Sequence, residues 1–497
     1  MEVVRGEPDA GTFFLLILSI SLAAFMSALD ATIVNIALPT ISESFGISSS
    51  AVSWVATAYL LVMAGCVPIF GKVSDVIGFK RVFLWGFVIF TIGSFFCGFL
   101  PVILNSFAAL VGSRVFQAVG GAIITAIAPA MVTTYIPMEK KGKAMAIIVT
   151  IAALGTAIGP SLGGVLTQFI SWHWIFFINV PVGIVAVLLG LRVIPATGVS
   201  RGPAGFDRYG AALVFSGLAT LLFAMSEGDT LGWTSPVIIG TLVIAVITLG
   251  GFVWNELRTD DPLLNLNLFK NRNFLFTNLI MALVFFSFSG INYLLPFYLR
   301  YVKGFDTFTA GLLLTSLSFA MMGAGALSGM LYNRTGGRSL CIAAAVVLAA
   351  GYSLMTLLKV ETTAVFLVSV LILIGFGLGL IISPLSNMIM NSVPKKFQGM
   401  ISSLLSLERF APMTIGIALF NIVFIQGILT IASRHGVTEE APVNIRMQVL
   451  AAGFDLTFLV TFIIGIIILV LTVVARQETD PDYLAGEQGG EPIAGMI

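Results

Sequence analysis

Gly71-Lys-Val-Ser-Asp75-Val-Ile-Gly78-Phe-Lys80-Arg81 separates two long apolar runs, and Gly329-Met-Leu-Tyr-Asn333-Arg334-Thr-Gly336-Gly-Arg338 separates two more. Each stretch places a glycine, then Asp or Asn four residues on, then a glycine three further on, then basic residues. One such turn carries little weight. Two of them, at matching places among apolar runs, argue that the chain holds two copies of one unit. Glycine suits the tight bends, and Lys and Arg mark loops on the cytoplasmic side of a membrane. Both stretches therefore read as short cytoplasmic links between spans.

The composition extends this reading to the whole chain. Of 497 residues, 58% are apolar and 10% charged, with a mean hydropathy of +1.04; soluble domains run at about 45–50% and about 25%. A spanning helix takes about 20 apolar residues, so fourteen spans use about 280 positions, close to the roughly 288 available. A soluble enzyme, a disordered chain and a disulfide scaffold are excluded, and the continuous rather than alternating runs exclude a β-barrel. Runs bounded by charge, Pro or Gly predict spans near 13–37, 51–70, 82–100, 106–135, 144–168, 174–194, 209–226, 235–254, 274–299, 308–331, 340–358, 363–391, 400–427 and 453–475. The first run lacks a small-residue cleavage site and reads as a retained span, not a signal peptide.

The two marker turns follow the second and tenth spans. The chain thus divides into a first six-helix half (1–195), two inserted helices with linkers (196–272), a second six-helix half (273–475) and a cytoplasmic tail (476–497). The tail is rich in Gly, Glu and Pro and is expected to be disordered; the stretch 428–452 reads as a long outer loop. With the N-terminus in the cytoplasm, 18 of the 25 Lys and Arg fall in inner segments, 5 in outer ones, and Arg114 and Arg409 within spans. That bias sets the direction, with both ends inside. The near-neutral balance of 25 basic and 24 acidic residues leaves no basic surface for nucleic acid. Cys66, Cys97 and Cys341 sit in separate runs, read as lipid-side or core packing, and neither they nor His173 and His435 show metal-ligand spacing, so no metal site is expected.

Four further motifs carry a resemblance. Leu29-Asp30-Ala-Thr32-Ile-Val-Asn35-Ile-Ala-Leu-Pro39, Arg114-Val-Phe-Gln117-Ala-Val-Gly120-Gly121, Gly155-Thr-Ala-Ile-Gly159-Pro160-Ser-Leu-Gly163-Gly164 and Trp172-His-Trp174-Ile-Phe-Phe-Ile-Asn179-Val-Pro181-Val-Gly183 occur in that order. Taken together with the turns, they resemble the major facilitator superfamily, and within it the fourteen-span drug/proton antiporters, over nearly the whole chain. Phe79 stands where the first turn often has Arg, Asn333 where the second often has Asp, and Glu408 where many members are neutral. The resemblance implies an all-α polytopic membrane protein of major facilitator fold. Its implied role is proton-coupled secondary transport that exports drugs or other amphipathic compounds by alternating access. An exporter dedicated to one solute or lipid is the alternative. It also implies small-molecule substrates, protons and membrane lipids as partners, a monomer, no cofactor and a prokaryotic inner (plasma) membrane.

Asp30 and Arg114 are the sharpest candidates. At 1.5 Å per residue they lie about 11 and 14 Å from the outer ends of their spans, and could share a level. A charge near the bilayer centre costs about 2.5–3.5 kcal/mol unless it is paired or wet, so the two read as a pair serving proton coupling, or as a static helix clamp. Glu408 and Arg409 lie about 12 Å inside span thirteen; adjacent residues point apart on a helix, so they are read as two separate contributions to proton coupling, or as a buried pair with other partners. The resemblance makes Gly155, Gly159, Pro160, Gly163 and Gly164 an outer seal, and Gly71, Asp75, Gly78 and Arg81 a cytoplasmic latch. Ordinary tight packing and a topology anchor are the plainer accounts. Tyr59, Gln117, Phe288, Asn292, Tyr293, Met321, Met322 and Asn387 lie in spans that line the cavity of such a fold. No Gly-rich nucleotide loop appears, so the energy source is expected to be an ion gradient. A membrane-embedded enzyme would need a His, Cys or paired-acid cluster in the spans, and two equivalent halves with kink motifs favour rocking over a channel.

Overall fold

The computed structural model describes residues 10–136, 138–195, 207–259, 262–394, 398–435 and 443–477. Fourteen helices among these are long and apolar enough to cross a membrane. In order they are α1 (Ala10–Phe45), α2 (Trp54–Ile77), α3 (Phe79–Leu104), α4 (Phe107–Tyr135), α5 (Met138–Phe169), α6 (Asn179–Val193), α7 (Arg208–Leu231), α8 (Pro236–Glu256), α9 (Arg272–Phe297), α10 (Thr307–Thr335), α11 (Gly337–Met355), α12 (Ala364–Asn391), α13 (Gln398–His435) and α14 (Val443–Val474). A single helical turn, Trp174–Phe177, leads into α6, and only together do they make the sixth span, Trp174–Val193.

Side-chain caps start many of them. Ser106 accepts from the Ala109 N–H at 3.4 Å, Asp207 from Gly210 at 2.8 Å, Ser235 from Ile238 at 3.3 Å and Thr363 from Phe366 at 3.4 Å. Each supplies an acceptor to N–H groups that the helix leaves open. Before α10, Asp306 accepts from both the N–H and the hydroxyl of Thr309, which holds its carboxyl below the ordinary range.

The helices overrun the apolar stretches. α13 continues to His435 and α14 begins at Val443, so much of the expected outer loop 428–452 is helix. α1 likewise runs through Pro39 to Phe45. Backbone hydrogen bonding does not stop where the apolar run stops, and polar residues such as Ser433 satisfy their hydroxyls on the preceding turn, here Thr430 O at 2.9 Å. Of the predicted tail, residues 478–497 lie outside the described residues.

The chain falls into two compact units, residues 1–206 with 305–315, and residues 207–304 with 316–497. In the first, α1 packs on α5, α2 on α4, and α3 on α4 and α6. In the second, α9 packs on α13, and α11 on α12 and α14; Gly375 and Gly379 of α12 lie against the backbone of Leu317 and Met321 of α10. The pairing order is the same in both. The inserted hairpin α7–α8 belongs to the second unit, where α7 meets α13.

The two marker turns have the same geometry. Gly78 and Gly336 take φ +96° and +77°, values that favour glycine. Their N–H groups donate to Ser74 O and Tyr332 O, each four residues back and each at 3.0 Å. Two residues further on, Lys80 Nζ donates to Leu191 O and Arg338 Nη2 to Val473 O, both at 2.9 Å. Each cation thus caps the C-terminal carbonyls of the last helix in its unit, where the helix dipole favours positive charge.

Candidate functional site

Five spanning helices of the first unit converge on Asp30. Arg114 Nη1 donates to Asp30 Oδ2 at 2.8 Å and to Gln117 Oε1 at 2.6 Å, and its Nε donates to Val55 O at 3.1 Å. Asp30 Oδ1 accepts from Gln117 Nε2 at 3.0 Å and from Asn179 Nδ2 at 3.2 Å. Gln117 Nε2 also donates to Ser94 Oγ at 2.8 Å, and its Oε1 accepts from the Cys97 thiol at 3.4 Å. The Arg114 guanidinium lies 4.1 Å from the centre of the Tyr59 ring and 5.5 Å from that of Phe176. Asp30, Arg114, Gln117 and Asn179 are at most 1% exposed.

This arrangement explains how two charges persist in an apolar interior. A buried ion pair is tolerated when further hydrogen bonds satisfy its remaining lone pairs and protons, and charge-assisted bonds are the strong ones. Both Asp30 oxygens are occupied by N–H donors, and stacked rings flank the cation. The close approach of α3 and α4 comes from glycine: a Cβ on Gly93 would lie 2.8 Å from Gln117 N, and one on Gly120 would lie 2.7 Å from Gly86 O.

Three of the predicted seal residues, Gly155, Gly159 and Gly163, line one seam. A Cβ on Gly155 would meet Phe25 O at 2.7 Å, and one on Gly163 would meet Ile33 O at 2.7 Å; between them Gly159 lies against Thr32 Oγ1, with Ile33 N at 3.2 Å. α5 therefore lies flush on α1, and the contact at Thr32 is two residues from Asp30. Gly164 points elsewhere, toward Thr307 O at 2.8 Å and Gly311 Cα at 3.4 Å in the first turns of α10. Those turns belong to the same unit. Gln168 Oε1 accepts from Thr307 N at 3.3 Å, Phe169 and Phe308 meet edge to face at 5.5 Å, and Gly311 sits under the Pro160 carbonyl.

The other predicted residues are more scattered. A Cβ on Gly71 would meet nothing within 4 Å, and Arg81 is exposed; the Asp75 side chain lies outside the described residues. In the second unit Glu408 is 8% exposed and its Oε2 has no hydrogen-bond partner among the described residues. Arg409 is exposed, its guanidinium 5.5 Å from the Phe410 ring centre. Gln117 and Tyr59, expected along a substrate cavity, are instead built into the Asp30 network. Tyr293 is fully buried, Phe288, Asn292, Met321 and Met322 are half-buried, and Asn387 is exposed. Ser94, Cys97 and Asn179 were not singled out as site residues. Asn179 stood in a quoted motif, and a Ser and a Cys three residues apart in an apolar run are the faint signal for the other two.

A polytopic helical membrane protein of two equivalently paired units, with a satisfied ion pair inside the first, is the architecture of a solute transporter. The sequence profile of the Major Facilitator Superfamily matches residues 20–417. The chain is 34% identical over 419 residues to the riboflavin transporter RibZ of Clostridioides difficile (strain 630), covering 84% of this chain and 89% of that protein. It is 32% identical over 410 residues to the multidrug transporter protein MdtP of Bacillus subtilis (strain 168), covering 82% and 75%. A bacterial homologue of the human lysosomal transporter Spinster, solved inward-facing and occupied, superposes with a TM-score of 0.65 at 16% identity, covering 95% of this chain and 97% of that one. This protein belongs to the Major Facilitator Superfamily. It is a multi-pass membrane transporter, not an enzyme.

Proposed function

We propose that this protein is a proton-coupled secondary transporter that exports amphipathic compounds by alternating access. The observation that carries the reading is the Asp30 network. One carboxylate ties α1 to α4 through Arg114 and Gln117, and to α6 through Asn179. A proton on Asp30 would turn an acceptor into a donor, remove the charge that Arg114 needs, and loosen all three links at once. The α1–α5 seam passes on both sides of Asp30, at Phe25 and Thr32, which supports the reading that such a change reaches the predicted seal. Glu408, in the second unit, is the second proton site of this reading, with Arg409 beside it in sequence. Phe288, Asn292, Met321 and Met322 are the proposed pocket residues, and the 40 Phe and 18 Met of the chain suit an adaptable apolar surface. The protein is proposed to act as a monomer in a prokaryotic plasma membrane with both ends in the cytoplasm.

A second reading has its own support. The similarity to a riboflavin transporter supports a single-solute carrier. One assay separates them: purified protein in liposomes with an imposed pH gradient, offered a panel of amphipathic cations, neutral drugs and riboflavin. Uphill, saturable movement of several chemically unlike compounds, abolished by a protonophore, is the expected result. Movement of riboflavin alone would favour the second reading, and gradient-independent flux would overturn proton coupling. The direction is tested by thiol labelling of single cysteines in intact cells, which should reach Gly232 and Thr438 from outside but not Ser200 or Lys395.

A further inference from the structure

The inserted hairpin carries a pair of acids that the transport reading does not use. Asp207 caps the start of α7 and Glu256 ends α8, so the antiparallel hairpin brings them together at the end that the charge bias places in the cytoplasm. They are 6% and 4% exposed. Asp207 is fully occupied: Oδ1 accepts from Gly210 N at 2.8 Å, and Oδ2 from Asn255 Nδ2. Glu256 Oε2 accepts from Leu264 N at 2.9 Å, in the segment leading to α9. Glu256 Oε1 has no hydrogen-bond partner among the described residues. Gly210 shows where that free oxygen points. A Cβ there would lie 2.7 Å from Glu256 Oε1 and would also run into Asp207 Oδ2. The two oxygens therefore converge on one spot, over a residue with no side chain to separate them.

Among the described residues no positive charge compensates the pair, and Arg201, in the stretch before Asp207, lies outside them. No Lys or Arg forms an ion pair with either carboxyl among the described residues. On the elements packed around them, Arg208 and Arg258 are exposed, with Arg258 stacked 4.3 Å over the Trp254 ring. Lys270 and Arg272, at the start of α9, are exposed too. α13, which packs on α7, carries Glu408 and Arg409. Asp260 and Asp261, in the same connection, lie outside the described residues. Two buried carboxylates facing each other without a cation repel, and one shared proton removes the repulsion.

We infer that Asp207 and Glu256 form a proton-binding site, in which a proton on Glu256 Oε1 is donated to Asp207 Oδ2. The site closes the inner end of the hairpin and, through Glu256 Oε2, tethers the hairpin to the lead-in of α9. Loss of the proton sets two like charges side by side at the inner end of the hairpin, while Glu256 Oε2 goes on accepting from Leu264 N–H.

Infrared difference spectroscopy on the purified full-length protein, stepped in pH, tests this without substrate or gradient, so its outcome is independent of the transport reading. The parent should show a protonated-carboxyl band that disappears as pH rises. Glu256→Gln keeps both hydrogen bonds with a fixed N–H and should lose the band, while Asp30→Asn and Glu408→Gln should retain it. Asp207→Asn keeps a good helix cap and should shift or lose the same band; it carries the test should Glu256→Gln not fold. Spectra of Glu256→Gln and of Asp207→Asn that each keep every band of the parent, or loss of two bands when the two substitutions are combined, would overturn the shared proton.

Discussion

Asp30 and Glu408 are both carboxylic acids within long apolar helices, and their surroundings are opposite. Asp30 receives N–H donors on both oxygens from Arg114, Gln117 and Asn179. Glu408 has an oxygen with no hydrogen-bond partner among the described residues and is nearly as deeply buried, where an unpaired charge would be costly. The lesson is that the two units keep one architecture and diverge in chemistry. A proton arriving at Asp30 breaks existing bonds, whereas a proton at Glu408 breaks none.

The largest effect is expected at the satisfied acid. Asp30→Asn leaves the Arg114 charge buried without its partner, which costs roughly 3–5 kcal/mol. Expression and thermal stability in detergent should fall, and uphill transport should vanish. Adding Arg114→Gln should restore expression but not transport; full transport in that double variant would reduce the pair to a structural clamp. Next comes the seam beside it. Gly159→Leu forces a side chain into Thr32 and the Ile33 backbone, an overpacking of about 1–3 kcal/mol. The protein should still reach the membrane but transport should stop or leak, and normal flux with Leu there would sink the seal.

At the unsatisfied acid the expected change is narrower. Glu408→Gln matches the neutral form in shape, so stability should fall far less than in Asp30→Asn. Downhill substrate movement should remain while pH-driven accumulation is lost or its proton number falls. Parent-like accumulation at parent stoichiometry would make Glu408 a packing residue. The smallest effects compare the units directly. Lys80→Ala and Arg338→Ala each remove one cation from a helix C-terminus, worth about 0.3–1 kcal/mol. Similar small losses in melting temperature would support equivalent clamps, and a large loss at only one would show that the equivalence is confined to the backbone.

Much of this was legible in the chain itself. Span count follows from hydropathy, because a bilayer admits little besides helices of one length. The duplication follows from Gly78 and Gly336, whose positive φ demands glycine at both places. The Asp30–Arg114 pair was expected from the cost of burying either charge alone. The helix ends near 428–452 were drawn too early, because apolarity marks the membrane and not the end of hydrogen bonding.

What the sequence by itself determined is therefore the set of spans, the repeat and the pairing of Asp30 with Arg114, the two charges deepest in the first unit's spans. Those features rest on composition and on local rules that act along the chain. Only the tertiary structure decided that Gln117 and Tyr59 join the ion pair, and that Ser94, Cys97 and Asn179 complete its shell. It alone brought Asp207 to Glu256 across the hairpin. Such contacts depend on which face each helix turns to its neighbours. That choice is made by glycine-lined close approaches between distant segments, such as Gly93 on Gln117 and Gly159 on Thr32, and no single helix carries the information to make it.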